Sequence, residues 1–66
     1  MSVAKVIELS GTSKKSSDDA VRRIVKRANK TINNVQGVWV KDVQAVVTNG
    51  KVTSWRVNCK VTFVLG

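Results

Sequence analysis

Histidine is absent from the 66 residues, and there is one cysteine and only four carboxylates. Each shortage closes a route. Without an imidazole, a serine or cysteine nucleophile lacks its usual base. Glu8 and Asp42 are the only carboxylates outside the helix-forming stretch described below, too few for an acid–base pair. One thiol makes neither an internal disulfide nor a zinc site. Gly11 stands alone after the first apolar stretch, so there is no Gly-rich phosphate loop. No apolar run approaches the ~20 residues that span a bilayer. Met1-Ser2-Val3-Ala4-Lys5 lacks the apolar core of a signal peptide. The expectation is a protein that is not an enzyme, has no membrane partner and resides in the cytoplasm, where a lone thiol suits a reducing compartment.

Positive charge is what the chain has in quantity. Twelve Lys and Arg against four Asp and Glu give a net +8 and a pI near 10.5. That balance suits an anionic partner such as nucleic acid, a phosphorylated metabolite or an anionic membrane, and it also serves plain solubility. The length predicts one domain over 1–66. A domain this small buries only ~60% of its unfolded surface, and its core rarely supplies more than roughly 3–5 kcal/mol. With disulfide and metal excluded, association with further copies is the remaining external support.

Residues Val38 to Leu65 read as one long β-hairpin folded at Asn49-Gly50, a pair that tolerates the positive φ angles of a type I′ turn. On the returning arm Trp55, Val57, Cys59, Val61, Phe63 and Leu65 share one face. Ser54, Arg56, Asn58, Lys60 and Thr62 share the other. The first face seeks a core, and Cys59 on it is expected to be an inert buried thiol. On the outgoing arm the alternation slips between Val38, Val40 and Val43, Ala45, Val47. A bulge near Lys41-Asp42 would restore the phase and turn all five toward the core face.

Upstream, residues 3 to 10 read as a first strand, ended by Gly11-Thr12-Ser13. A helix follows over roughly Ser17 to Asn33. Ser16 and Asp19 resemble a capping box, and Asp18–Arg22 and Asp19–Arg23 are favourable pairs four apart. Val21, Ile24, Val25, Ala28 and Ile32 form an apolar stripe expected to cover the sheet. The opposite side carries Arg22, Arg23, Lys26, Arg27 and Lys30, including like-charge neighbours that cost about 0.2–0.5 kcal/mol each. Asn33-Asn34 can end the helix, because asparagine accepts the left-handed conformation. The order is strand, helix, hairpin, an α+β class with a three-stranded antiparallel sheet around one helix.

Trp39 lies between Val38 and Val40 and so points away from the helix, with Gly37 leaving a gap beside it. Pairing across the turn places it near Lys60. The open sheet face then gathers Gly37, Trp39, Arg56, Asn58 and Lys60: an aromatic plane among cationic and amide donors, suited to a flat ring with polar edges or a phosphate. The same indole could instead fill an interface between copies. Nucleic acid fits the basic strip and the aromatic, although a stacking platform wants two or more outward rings.

Lys5-Val6-Ile7-Glu8-Leu9-Ser10-Gly11-Thr12-Ser13, Arg27-Ala28-Asn29-Lys30-Thr31-Ile32 and Val61-Thr62-Phe63-Val64-Leu65 together resemble the dodecins, in order and over nearly the whole chain. The resemblance implies a β-α-β-β subunit whose sheet curls around the helix. It also implies twelve copies in a hollow sphere, and flavin (FMN, riboflavin or FAD) stacked between tryptophans at subunit interfaces and stored rather than turned over. The family's stacking tryptophan aligns with Gly37, ahead of Val38-Trp39-Val40. Trp39 is therefore displaced by two residues along the same face, about 6–7 Å at ~3.3 Å per residue. The family's flavin-contacting glutamine aligns with Arg56. Two readings follow. In one, Gly37, Val38, Trp39, Arg56, Asn58 and Lys60 form an altered flavin site. In the other, the assembly persists without flavin and its basic surface takes other anions. Twelve copies at +8 each demand compensation by counterions or polyanions.

Overall fold

The computed structural model describes residues 3–65. Met1, Ser2 and Gly66 lie outside the described residues, the first two belonging to the stretch read above for a leader. Three strands and a helix follow in the order β1 (Val3–Ser13), α1 (Ser17–Thr31), β2 (Val35–Thr48) and β3 (Lys51–Leu65). β3 is central and antiparallel to both neighbours, so the sheet order is β1-β3-β2. This is the expected β-α-β-β arrangement. β2 and β3 form the hairpin, and its turn residues Asn49 and Gly50 have φ of 52° and 76°, as a type I′ turn requires.

The first strand runs further than its pattern suggested. Gly11, Thr12 and Ser13 were expected to break it, yet they pair with Val57, Arg56 and Trp55. The long β3 edge offers ladder partners this far, and Gly11 serves packing rather than a turn. A Cβ at Gly11 would lie 2.5 Å from Ile24 Cγ1, so its absence lets α1 close onto the strand.

Ser16 caps α1, its extended backbone and side-chain oxygen accepting from the Asp19 amide at 3.0 Å. The reciprocal half of a capping box is replaced by a different network. The Asp19 carboxylate accepts from Ser13 Oγ at 2.5 Å and from Arg23 Nε at 2.8 Å. Those hydrogen bonds, Ser13 first and Arg23 second, hold its pKa below the ordinary value. Asp18 and Arg22 do not form the expected ion pair. At the other end the Ile32 amide donates to the Ala28 carbonyl at 2.9 Å. The left-handed residue is Asn34, with φ of 62°.

Ala20, Ile24 and Ala28 pack on Val57, Cys59 and Val61, and all six are buried. Ala20 joins the stripe read from sequence, while Val21, Val25 and Ile32 are half-buried at its margins. Burial pushes the Cys59 thiol pKa up, as suits an inert core cysteine.

One expectation fails. The helix was to cover the apolar side of the whole hairpin, but Val40, Val43 and Val47 are 40%, 49% and 61% exposed. Val40 and Val43 stand opposite Cys59 and Val57, which are buried, so at that level α1 lies over β3 and leaves β2 uncovered. For Val47, near the turn, length is the reason. Fifteen helical residues span about 22 Å, whereas fifteen strand residues span about 50 Å, and the molecule is 50 Å long. The hairpin tip projects beyond its own helix.

Candidate functional site

The sheet face opposite α1 is built by alternation on β3. Val57, Cys59 and Val61 are committed to the core, so Arg56, Asn58, Lys60 and Thr62 point the other way. Register then decides their neighbours. On β2, Gly37, Trp39, Asp42 and Gln44 stand opposite Thr62, Lys60, Asn58 and Arg56. On β1, Val6, Glu8, Ser10 and Thr12 oppose the same four residues. The phase slip read from sequence is absorbed between Val40 and Asp42, with Lys41 the extra residue. Further irregularities fall between Val35 and Gly37 and between Val46 and Val47.

Trp39 is 69% exposed, and Lys60 Nζ lies over its ring, 5.6 Å from the centroid. That is within cation–π range. Lys60 therefore takes one face of the indole. Beside it, Thr62 Oγ1 donates to the Gly37 carbonyl at 3.2 Å. A Cβ at Gly37 would meet only that hydroxyl, at 3.4 Å, so the position is an open niche two residues from the indole.

The sequence-predicted residues are not all brought together. Trp39, Lys60 and Gly37 are. Asn58 is on the same face, but its Nδ2 donates to Asp42 Oδ1 at 2.7 Å. Arg56 stands opposite Gln44, four residues from Lys60 and so about 13 Å along the strand. Within one chain it does not reach Trp39. Val38 is paired with Val61 and packs against the core, which places it behind the sheet, where alternation on either side of Trp39 requires it to be.

Four residues that composition and motif reading passed over belong to this face. Lys41, freed from the ladder by the bulge, reaches across β3 to Glu8, Nζ to Oε1 3.6 Å. With Ser10, Asp42 and Asn58 they line a shallow depression of about 340 Å³. The alternation of β1 already set Glu8 and Ser10 on one side. Only the pairing of β1 with β3 sets that side against Lys41 and Asp42.

A three-stranded antiparallel sheet with its first and last strands adjacent, one helix on one face and an exposed indole on the other, defines a small β-α-β-β unit with an open sheet face. The dodecin family model matches residues 3–66. Among solved structures, the dodecin of Streptomyces coelicolor is 34% identical with a TM-score of 0.92, over 98% of this chain and 93% of that one. The dodecin of Streptomyces davaonensis is 31% identical with a TM-score of 0.92, over 98% and 96%. A mutant of the T. thermophilus dodecin is 29% identical with a TM-score of 0.93, over 100% and 98%. Comparison with curated protein sequences finds no match. The chain belongs to the dodecin family.

Proposed function

We propose that this dodecin-family protein binds a flavin without turning it over, at contacts between copies in a homo-oligomer. Twelve copies is the number the family resemblance implies, with residues 1–66 as one domain in each. The observation that carries the reading is Trp39, a large apolar ring 69% exposed on the open sheet face. Trp39 stacks on the isoalloxazine, the open niche at Gly37 admits the ring, and Lys60 moves from the indole to a ligand phosphate. Asn58 offers an amide to a polar ring edge. Arg56, about 13 Å along the strand from Lys60, reaches the ligand from a neighbouring copy. Val38 supports the strand from behind. Assembly is supported by the apolar residues that this chain leaves uncovered: Val40, Val43, Val47 and Val52 on the hairpin, and Val3, Val6 and Leu65 at the opposite end.

A second reading, the assembly without flavin, draws on Gly37 standing where the resemblance implies a tryptophan. Titrating riboflavin or FMN with purified protein separates the two. Flavin fluorescence quenched by the protein, and lost in Trp39→Ala, supports flavin binding. Base–aromatic stacking is worth ~1–3 kcal/mol, so Trp39→Ala should weaken binding by roughly 5- to 150-fold. No quenching at micromolar flavin selects the second reading. Gel filtration at the mass of a single chain would defeat both.

A further inference from the structure

The solvent side of α1 is a separate feature that the flavin reading leaves unused. We infer that it is a docking surface for the phosphate backbone of duplex nucleic acid. Arg22, Arg23, Lys26, Arg27 and Lys30 are all exposed. At 100° per residue they fall within an arc of about 140°. The buried residues Ala20, Ile24 and Ala28 occupy the opposite side. Of the five cations, Arg23 alone has a carboxylate partner, Asp19, among the described residues. Seven of the twelve Lys and Arg lie between Lys14 and Lys30, against two carboxylates, Asp18 and Asp19. Lys14 and Lys15 precede α1 and the other five lie on it, so this stretch carries +5 of the net +8.

The spacing suits a phosphate strand. Arg22, Lys26 and Lys30 follow one another at ~6 Å along the helix axis, and Arg23 and Arg27 form a parallel row. A DNA strand presents a phosphate every ~3.4 Å of rise, so the row of three spans roughly three to four phosphates. The surface between the side chains is a shallow groove of about 410 Å³ along the same residues, with Asp19, paired to Arg23, at its N-terminal end. Cations with no interleaved apolar side chains position a backbone and carry no base readout. The same absence argues against other anionic partners. A membrane-binding helix buries its apolar face in lipid, whereas the apolar face of α1 is already packed on the sheet. A protein interface takes aromatic anchors, and both tryptophans and Phe63 belong to β2 and β3.

The test is fluorescence anisotropy of a labelled 20-base-pair DNA duplex with the full-length protein. Neutralising about four phosphates per helix gives a slope near −3.6 in log affinity against log salt, or about 150-fold weaker binding at 200 mM than at 50 mM salt. Lys26→Gln with Lys30→Gln should reduce the slope by about 1.8 and leave flavin quenching unchanged. Arg22→Glu with Lys26→Glu should abolish binding at 50 mM salt. Lys5→Glu with Lys51→Glu makes the same change in net charge away from α1 and should retain most of it. Circular dichroism and gel filtration of each variant confirm that it is folded and assembled like the parent. No duplex binding at 50 mM salt, an equal loss in the Lys5 and Lys51 control, or binding to phosphatidylserine vesicles in place of duplex overturns the proposal. None of the duplex-binding readouts depends on whether flavin binds.

Discussion

Gly11→Ala is expected to pry α1 from the sheet that carries the open face. The new Cβ would sit 2.5 Å from Cγ1 and 2.9 Å from Cδ1 of Ile24, and 3.4 Å from the Ala20 carbonyl oxygen. Carbon atoms are comfortable at about 3.5–4.0 Å, so Ile24 must retreat by about 1 Å. It has little freedom to do so. Its β-branched side chain is held to one rotamer in a helix, and it is 4% exposed, packed among Val57, Cys59 and Val61. Overpacking of this kind costs about 1–3 kcal/mol. Against it stands the ~0.5–1 kcal/mol by which alanine outperforms glycine inside a regular element. The net loss is about 1 kcal/mol at the mid-values, within a range of about 0–2.5 kcal/mol, a fall in Tm of roughly 4–8 °C for a domain of this size.

Thermal and urea unfolding followed by circular dichroism measure it, at one protein concentration because association raises apparent stability. Ile24→Ala supplies the control. It costs about 2–5 kcal/mol by itself, but it removes both crowded carbons. In that background Gly11→Ala should be neutral or stabilising, a coupling of opposite sign. Equal losses in both backgrounds, or a Gly11→Ala protein as stable as the parent, would refute the reasoning.

Two further outcomes follow from the same geometry. Lys60→Met removes a cation–π contact worth ~0.5–1 kcal/mol at an exposed site. Neutral riboflavin should then bind about 2- to 5-fold tighter, while FMN loses the cation offered to its phosphate, so an unchanged ratio of the two affinities contradicts the role given to Lys60. Asp19 titrates below its ordinary value of 3.8 when folded, so its contribution to stability is complete above that pH and is lost as pH falls through the folded pKa. The stability gap between the parent and Asp19→Asn should therefore be wide at pH 7 and close as the pH drops below about 4, and a gap independent of pH would mean that the carboxylate charge is not what Ser13 and Arg23 hold.

Much of the fold was legible because it rests on local rules. Alternation along Trp55 to Leu65 assigned β3 its two faces, Asn49-Gly50 placed the turn, and Ser16 placed the helix start. The phase slip in Val38 to Val47 called for a bulge, and Lys41 is that residue. Trp39 was put on the open face beside Lys60 by counting from the turn, and the register places the two opposite each other. The resemblance quoted from three short stretches named the family to which the chain belongs.

What needed three dimensions was whatever depends on how far one element extends over another. Strand propensity read Gly11-Thr12-Ser13 as an end, but the edge of β3 recruits all three, and Ile24 presses where a side chain would have been. The hairpin's apolar residues looked covered until the helix proved to lie over β3 rather than β2, leaving Val40 and Val43 exposed, and to be about half as long as the strands, leaving Val47 exposed. The open face was half visible, since β2 and β3 are joined by a short turn whose register can be counted. The other half is β1, which arrives beside β3 only after the chain has passed through α1. No local pattern encodes that return, and so the ion pair of Glu8 with Lys41 belongs to the tertiary structure alone.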